Sequence, residues 1–229
     1  MEAIQTVRTV KVFVLGRPGT GKSTATRHML QTARERGWHA ESLDDYSILS
    51  WMYANDRLRR FKPASSTLNG FAIMDVTVLD EALAILRRRV DFALTRTLDR
   101  TNLVTIEFAR DTYRTPLKQF GSEFLQKSYF LFLDTDIDTC MTRITLRAQH
   151  PVYAGDHFIS HETMQKFYSS DDIPATRAML RTVYGIDERH MRVIYNISSE
   201  EVFLSEVYLF VERIIRQEAG AKRASDVSC

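Results

Sequence analysis

The chain alternates short apolar runs with longer stretches in which apolar residues recur every three or four positions. Thr9–Leu15 (TVKVFVL), Leu103–Phe108 (LVTIEF) and Tyr129–Leu133 (YFLFL) are almost unbroken apolar runs, rich in β-branched and aromatic side chains. Such runs predict strands buried on both faces of a parallel sheet, because a strand with one wet face would alternate. His39–Leu43 and His190–Ile197 are weaker strand candidates. Lys22–Arg36 predicts a helix stopped by Gly37. Leu79, Leu83, Leu86, Val90 and Leu94 fall on one helical face within Leu79–Leu98. Further helices are expected over Tyr46–Asn55, Tyr113–Gln126, Asp138–Gln149, Ile173–Tyr184 and Glu200–Gln217. This alternation of elements predicts an α/β, three-layer architecture: a mostly parallel sheet of about five strands with helices on both faces.

Two segments interrupt the pattern. Arg57–Gly70 (RLRRFKPASSTLNG) is basic and then rich in Ser, Thr, Pro and Asn, so an insertion over about 56–76 is expected to be mobile. Val152–Asp172 is polar, and together with the preceding helix it is expected to form a lid over about 143–172. Ala219–Cys229 is small and polar and is expected to be a flexible tail, leaving 1–218 as one domain.

The turn after the first apolar run carries the clearest chemistry. Gly16-Arg17-Pro18-Gly19-Thr20-Gly21-Lys22-Ser23 fits G-x-x-x-x-G-K-[ST] at every fixed position, between a predicted strand and a predicted helix. Glycines there let backbone amides point inward around phosphate oxygens, and the helix N-terminus adds partial positive charge. Gly16, Arg17, Pro18, Gly19, Thr20, Gly21, Lys22, Ser23 and Thr24 are therefore the expected nucleotide-binding residues. Lys22 is expected at the β- and γ-phosphates and Ser23 on Mg²⁺, with ATP as the nucleotide.

Other strings narrow the class of P-loop protein. Asn-Lys-x-Asp, Asp-x-x-Gly and Leu-Ser-Gly-Gly are all absent, which argues against GTPases and transporter ATPases. Val76-Thr77-Val78-Leu79-Asp80-Glu81 has the look of a Walker B strand, but Leu79 opens the helical stripe. Asp80 and Glu81 are thus expected in a first helical turn, where acidic residues are favourable.

From about Val10 to about Arg216 the chain resembles the nucleoside and nucleotide kinase group of P-loop proteins. The phosphate loop carries most of the resemblance. Asp44-Asp45-Tyr46 is similar to the Asp-Asp-Phe/Tyr of uridine-kinase-like enzymes. Glu107-Phe108-Ala109-Arg110 is similar to the Glu-Arg-Ser motif of deoxynucleoside kinases, with the arginine two residues late, and Arg143 and Arg147 look like lid arginines. The resemblance implies an ATP- and Mg²⁺-dependent phosphotransferase acting on a small acceptor, a nucleoside or nucleotide first. A sugar, an antibiotic or an RNA end are the alternative acceptors, and a regulatory NTP-binding module without turnover is the rival class. The basic Arg57–Lys62 stretch keeps RNA among the possible partners.

Ligands of open parallel sheets bind beyond the carboxyl ends of the strands, where Asp44, Asp45, Glu107 and Arg110 fall. Asp45 and Glu107 are the candidates for two tasks, holding the acceptor hydroxyl and holding waters on Mg²⁺, with the assignment open. Asp45 has a capping role as its structural alternative. Asp44, Arg110 and Arg114 are candidate acceptor-binding residues; Arg110 also suits as a carboxylate partner. Arg143 and Arg147, four apart, share a helix face and can clamp transferring oxygens. Asp134 and Asp136 precede a predicted helix and are read as caps. His150, His157 and His161 lack a compact metal spacing. Arg87-Arg88-Arg89 diverge around a helix and read as a solvated face.

Composition changes this picture little. The 229 residues are 44% hydrophobic with a formal net charge of +2, enough for one full core and without a bulk basic signal for nucleic acid. Cys140 and Cys229 form no disulfide framework, the first residues are too polar for a signal peptide, and no run is long enough to span a membrane. A soluble cytoplasmic protein without a membrane partner is expected.

Overall fold

The computed structural model describes residues 8–63, 70–96, 99–151, 158–169 and 172–226. The three long apolar runs are strands: β1 is Thr9–Leu15, and its alternate residues enter two different cores. Phe13 and Leu15 pack on one face of the sheet, while Val10, Val12 and Val14 pack on the other, which is why the run has no polar face. Helix α1 (Lys22–Glu35) follows the phosphate loop, then come β2 (His39–Asp44) and α2 (Tyr46–Ala54). A short antiparallel hairpin, β3 (Phe61–Pro63) and β4 (Phe71–Ile73), precedes α3 (Thr77–Thr95) and β5 (Asn102–Phe108). Two short helices, α4 (Arg114–Lys118) and α5 (Ser122–Gln126), lead to β6 (Ser128–Asp134). The chain ends with α6 (Ile137–Gln149), α7 (His161–Tyr168), α8 (Ile173–Tyr184), β7 (Met191–Tyr195) and α9 (Glu200–Asp226).

The main sheet has five parallel strands in the order β2-β5-β1-β6-β7. With helices on both faces it is a three-layer α/β sheet of the P-loop NTPase fold. One core lies beneath α2, α3 and the α4–α5 pair, with Phe13 stacked on Phe130 at 5.1 Å. The other lies beneath α1 and α9. A small third cluster, Cys140, Ile144 and Met164, joins α6 to α7. Among the described residues no helix is long and apolar enough to cross a membrane.

Several elements differ from the expected pattern for physical reasons. The basic stretch from Arg57 contributes β3, and Phe71 contributes β4, because Phe61, Phe71 and Tyr53 build an aromatic cluster that the composition of the stretch hides. Residues 64–69 lie outside the described ones. The helix expected over Tyr113–Gln126 is broken at Gly121, whose φ of +77° suits glycine. Helix α9 runs to Asp226, past the start of the expected tail. Thr77–Glu81 is helical after the N-cap Val76, with Asp80 in the first turn of α3.

Candidate functional site

The parallel register brings the carboxyl ends of β1, β2 and β5 to one rim. Val14 is level with Glu107, and Glu107 is level with Asp44. The chain turns away from each strand there, leaving a cleft of about 1360 Å³ floored by the phosphate loop. That exceeds the roughly 300–1,000 Å³ of a typical single-ligand pocket.

The loop itself is built by close approach. Gly21 has a φ of +97°, and a Cβ there would stand 2.6 Å from Asn196 Nδ2. A Cβ on Gly19 would stand 2.7 Å from the Cys140 carbonyl oxygen. Neither position can take a side chain without moving α6 or the end of β7. Asn196 is a latch that the sequence does not advertise: its Nδ2 donates to the Thr20 carbonyl at 2.9 Å, and its own N–H donates to the Asp134 carbonyl. Arg143 Nη2 donates to the Asn196 carbonyl at 3.0 Å, and Arg17 pairs with Asp134 at 3.6 Å.

Lys22 is buried, and its ammonium donates to the carbonyls of Gly16 (2.9 Å) and Arg17 (3.1 Å). Burial holds its pKa below the usual lysine range, although the negative charges of Glu107 and Asp45 pull it back up. Glu107, at the end of β5, accepts from the Ser23 hydroxyl at 3.1 Å and from the Thr26 hydroxyl at 3.3 Å. Its carboxyl is pushed above the usual range by burial, against the pull of Lys22 and the Ser23 hydrogen bond. Ser23 and Glu107 thus place hard oxygen donors side by side next to an ammonium. A Mg²⁺–polyphosphate suits this set, since Mg²⁺ takes few protein ligands and fills its shell with phosphate oxygens and water.

Asp45 lies on the same rim and is buried. Asp44, not Asp45, caps α2: its Oδ1 accepts the Ser47 N–H at 2.7 Å. Asp45 Oδ2 instead accepts from Arg110 Nη1 at 2.5 Å. Burial raises the Asp45 carboxyl despite the guanidinium beside it. Arg110 is tied further to the carbonyls of Ala109 (2.6 Å) and Leu79 (2.7 Å). Asp136 caps α6 through the Thr139 N–H, whereas Asp134 holds Arg17.

Of the residues expected at the site, Pro18, Gly19, Gly21, Lys22, Ser23, Asp44, Asp45, Glu107, Arg110 and Arg147 line this cleft. Gly16, Arg17 and Thr20 shape the loop from behind. Thr24 accepts from Arg27 Nη2 at 3.2 Å and does not line the cleft. Arg143 points to Asn196 rather than into the cleft, and Arg114 is exposed outside it. Phe158 and Ile159, with Thr163, Phe167 and Tyr168 from α7, line the far side of the cleft; 152–157, which include His157, lie outside the described residues.

Tyr113 is the residue whose role sequence reasoning missed. Its buried hydroxyl accepts the Gly16 N–H at 2.8 Å, and its own N–H donates to Asp172 Oδ2 at 2.7 Å. The same Asp172 oxygen accepts from Thr112 and Thr176, so the start of α8 is pinned to the phosphate loop through one tyrosine. Tyr113→Phe leaves the Gly16 N–H buried without an acceptor, at a cost of about 1–3 kcal/mol. Denaturant unfolding is expected to show that loss, together with a several-fold weaker ATP affinity by calorimetry. Unchanged values for both would remove Tyr113 from the loop's support.

No family model matches the chain, and no curated protein matches it. Solved structures do. The Chaetomium thermophilum Kti12 in complex with ADP-AlF3 aligns with a TM-score of 0.53 at 14% sequence identity, covering 86% of this chain and 95% of that one. A putative kinase from Chloroflexus aurantiacus aligns with a TM-score of 0.52 at 14% identity, covering 90% of this chain and 97% of that one. At such identity the likeness is one of fold, and it extends over most of each chain.

Proposed function

We propose that this protein transfers the γ-phosphoryl group of ATP to a hydroxyl of a small acceptor, with a nucleoside or nucleotide as the acceptor class. The observation that carries the reading is the placement of Lys22, Ser23–Glu107 and Asp45 around one cleft with room for two ligands. Bound Mg²⁺ would neutralise charge on the phosphates, held by Ser23 with Glu107 behind it. The two carboxylates, equivalent candidates on sequence, then take separate tasks. Glu107 has both oxygens on hydroxyls of α1 and orients Ser23. Asp45 has one oxygen on Arg110, which leaves Oδ1 for the acceptor.

In this scheme Lys22 leaves the loop carbonyls for the phosphate oxygens, and Arg147 approaches from α6. Asp45 accepts the acceptor's O–H proton as the new O–P bond forms and the bond from Pγ to its bridging oxygen breaks. A carboxyl raised by burial is a stronger base than an exposed one, which suits that transfer. Closure of the α7 side would exclude water as the competing acceptor. The deciding experiment follows transfer of γ-labelled phosphate from ATP to nucleosides, nucleotides, sugars and short RNAs. Label on a small acceptor is expected; tight ATP binding with label on none would mean a nucleotide-binding module instead.

A further inference from the structure

The phosphotransfer reading leaves open what kind of molecule faces Asp45, and the wall opposite the phosphate loop bears on that. This wall is made by α2, the β3–β4 hairpin, the start of α3 and the turn after β5. An acceptor that already carried a phosphate would need a cation there with free donors. Arg110 is the buried cation in that position, and almost none of it reaches the cleft: its Nε is buried without a partner. Nη1 donates to Asp45 and Ala109, Nη2 donates to Leu79, and the side chain is only 4% exposed.

The rest of the wall is acidic. Asp44, Asp80 and Asp111 all line it, and none forms an ion pair among the described residues. Against them the wall sets Lys62, exposed on β3. The sequence between Pro63 and Gly70 adds no charged residue. Arg27 enters the cleft from α1, the helix of Lys22 and Ser23, with Nη2 on the Thr24 hydroxyl. A phosphate dianion placed near Asp45 would therefore meet like charges along this wall, from half-buried Asp44 and exposed Asp80 and Asp111.

The same wall carries flat apolar surface. Tyr46 and Phe71 both line the cleft with their rings nearly parallel, 3° apart in orientation and 5.8 Å between centroids. Phe71 is further fixed by Tyr53 at 4.9 Å. Rings held by neighbours offer a stacking surface at low entropic cost, which favours a planar partner over an open polyol.

We propose that the acceptor is an unphosphorylated alcohol carrying a flat ring, a nucleoside rather than a nucleotide. The test compares kcat/KM for γ-phosphoryl transfer to adenosine, guanosine, cytidine and uridine, to their 5′-monophosphates, and to ribitol and glucose. At least one nucleoside is expected to exceed its own monophosphate by about tenfold or more, with little label on ribitol or glucose. In the Asp80→Asn/Asp111→Asn double variant that preference is expected to shrink several-fold, because two unpaired charges of the wall are gone. A monophosphate that equals or beats its nucleoside overturns the inference, as does label on the polyols alone. A preference unmoved in the double variant overturns its electrostatic basis. Label on none of these compounds while ATP still binds defeats the phosphotransfer reading itself, a result distinct from the other three.

Discussion

Lys22→Ala is expected to lower kcat by about 10²- to 10³-fold while leaving a folded protein. The expectation rests on where the ammonium stands. It is buried, its charge is disfavoured by that burial, and its hydrogen-bond partners are two backbone carbonyls. A buried charge held this way adds little net stability, because desolvation offsets most of the gain from its hydrogen bonds. A triphosphate offers a far better partner, and the charge that develops on its oxygens during transfer offers a better one still. Loss of one such preorganised donor costs about 2.7–4 kcal/mol of transition-state stabilisation. Thermal unfolding checks the fold, and single-turnover phosphate transfer checks the chemistry. A variant that folds, binds ATP and turns over at the wild-type rate would show that the loop's lysine has no part in the reaction.

The phosphate loop was legible because every fixed position in it answers to a local demand. Gly19 and Gly21 are required by close contacts of Cys140 and Asn196, and Lys22-Ser23 must open a helix. The strands were legible for a similar reason: residues buried on both faces leave no polar alternation to misread. What sequence could not reveal are the long-range partnerships. Tyr113 meets Gly16 across 97 residues, and Asn196 meets Thr20 across 176, and neither pair carries a local signature. Arg143 and Arg147 share a helix face, yet Arg147 lines the cleft while Arg143 holds Asn196. Helical spacing sets the face but not what lies a turn further along it. Asp44 and Asp45 show the same limit, since adjacent carboxylates at a strand end look alike until one is seen capping α2 and the other pairing with Arg110. The hairpin escaped because its strands are three residues each and are held by aromatic packing rather than by periodicity.

Glu107→Gln separates charge from shape at the centre of the proposed site. The amide keeps the size of the carboxylate and one acceptor for the Ser23 or Thr26 hydroxyl, so the loop should stay in place. It loses the negative charge that orients Ser23 and balances Lys22. In the proposed scheme kcat is expected to fall by about 10²-fold or more while the ATP dissociation constant moves by only a few-fold. Stability should change in the opposite sense. Burial raises the Glu107 carboxyl above its unfolded value, so the folded state favours the protonated form. That contribution is present in full below the unfolded pKa and is lost as pH rises through the folded one. The glutamine variant, neutral at every pH, is then expected to be at least as stable as the wild type at pH 7, with an advantage that narrows on acidification. The wild-type kcat/KM should fall with acid at a pH above the ordinary carboxylate range, because the charged form is the one proposed to act. Asp45, raised by the same cause, supplies a second acid limb that survives in the variant. A Glu107→Gln protein with wild-type kcat would sever the Ser23–Glu107 pair from catalysis and leave Asp45 as the sole carboxylate in the mechanism.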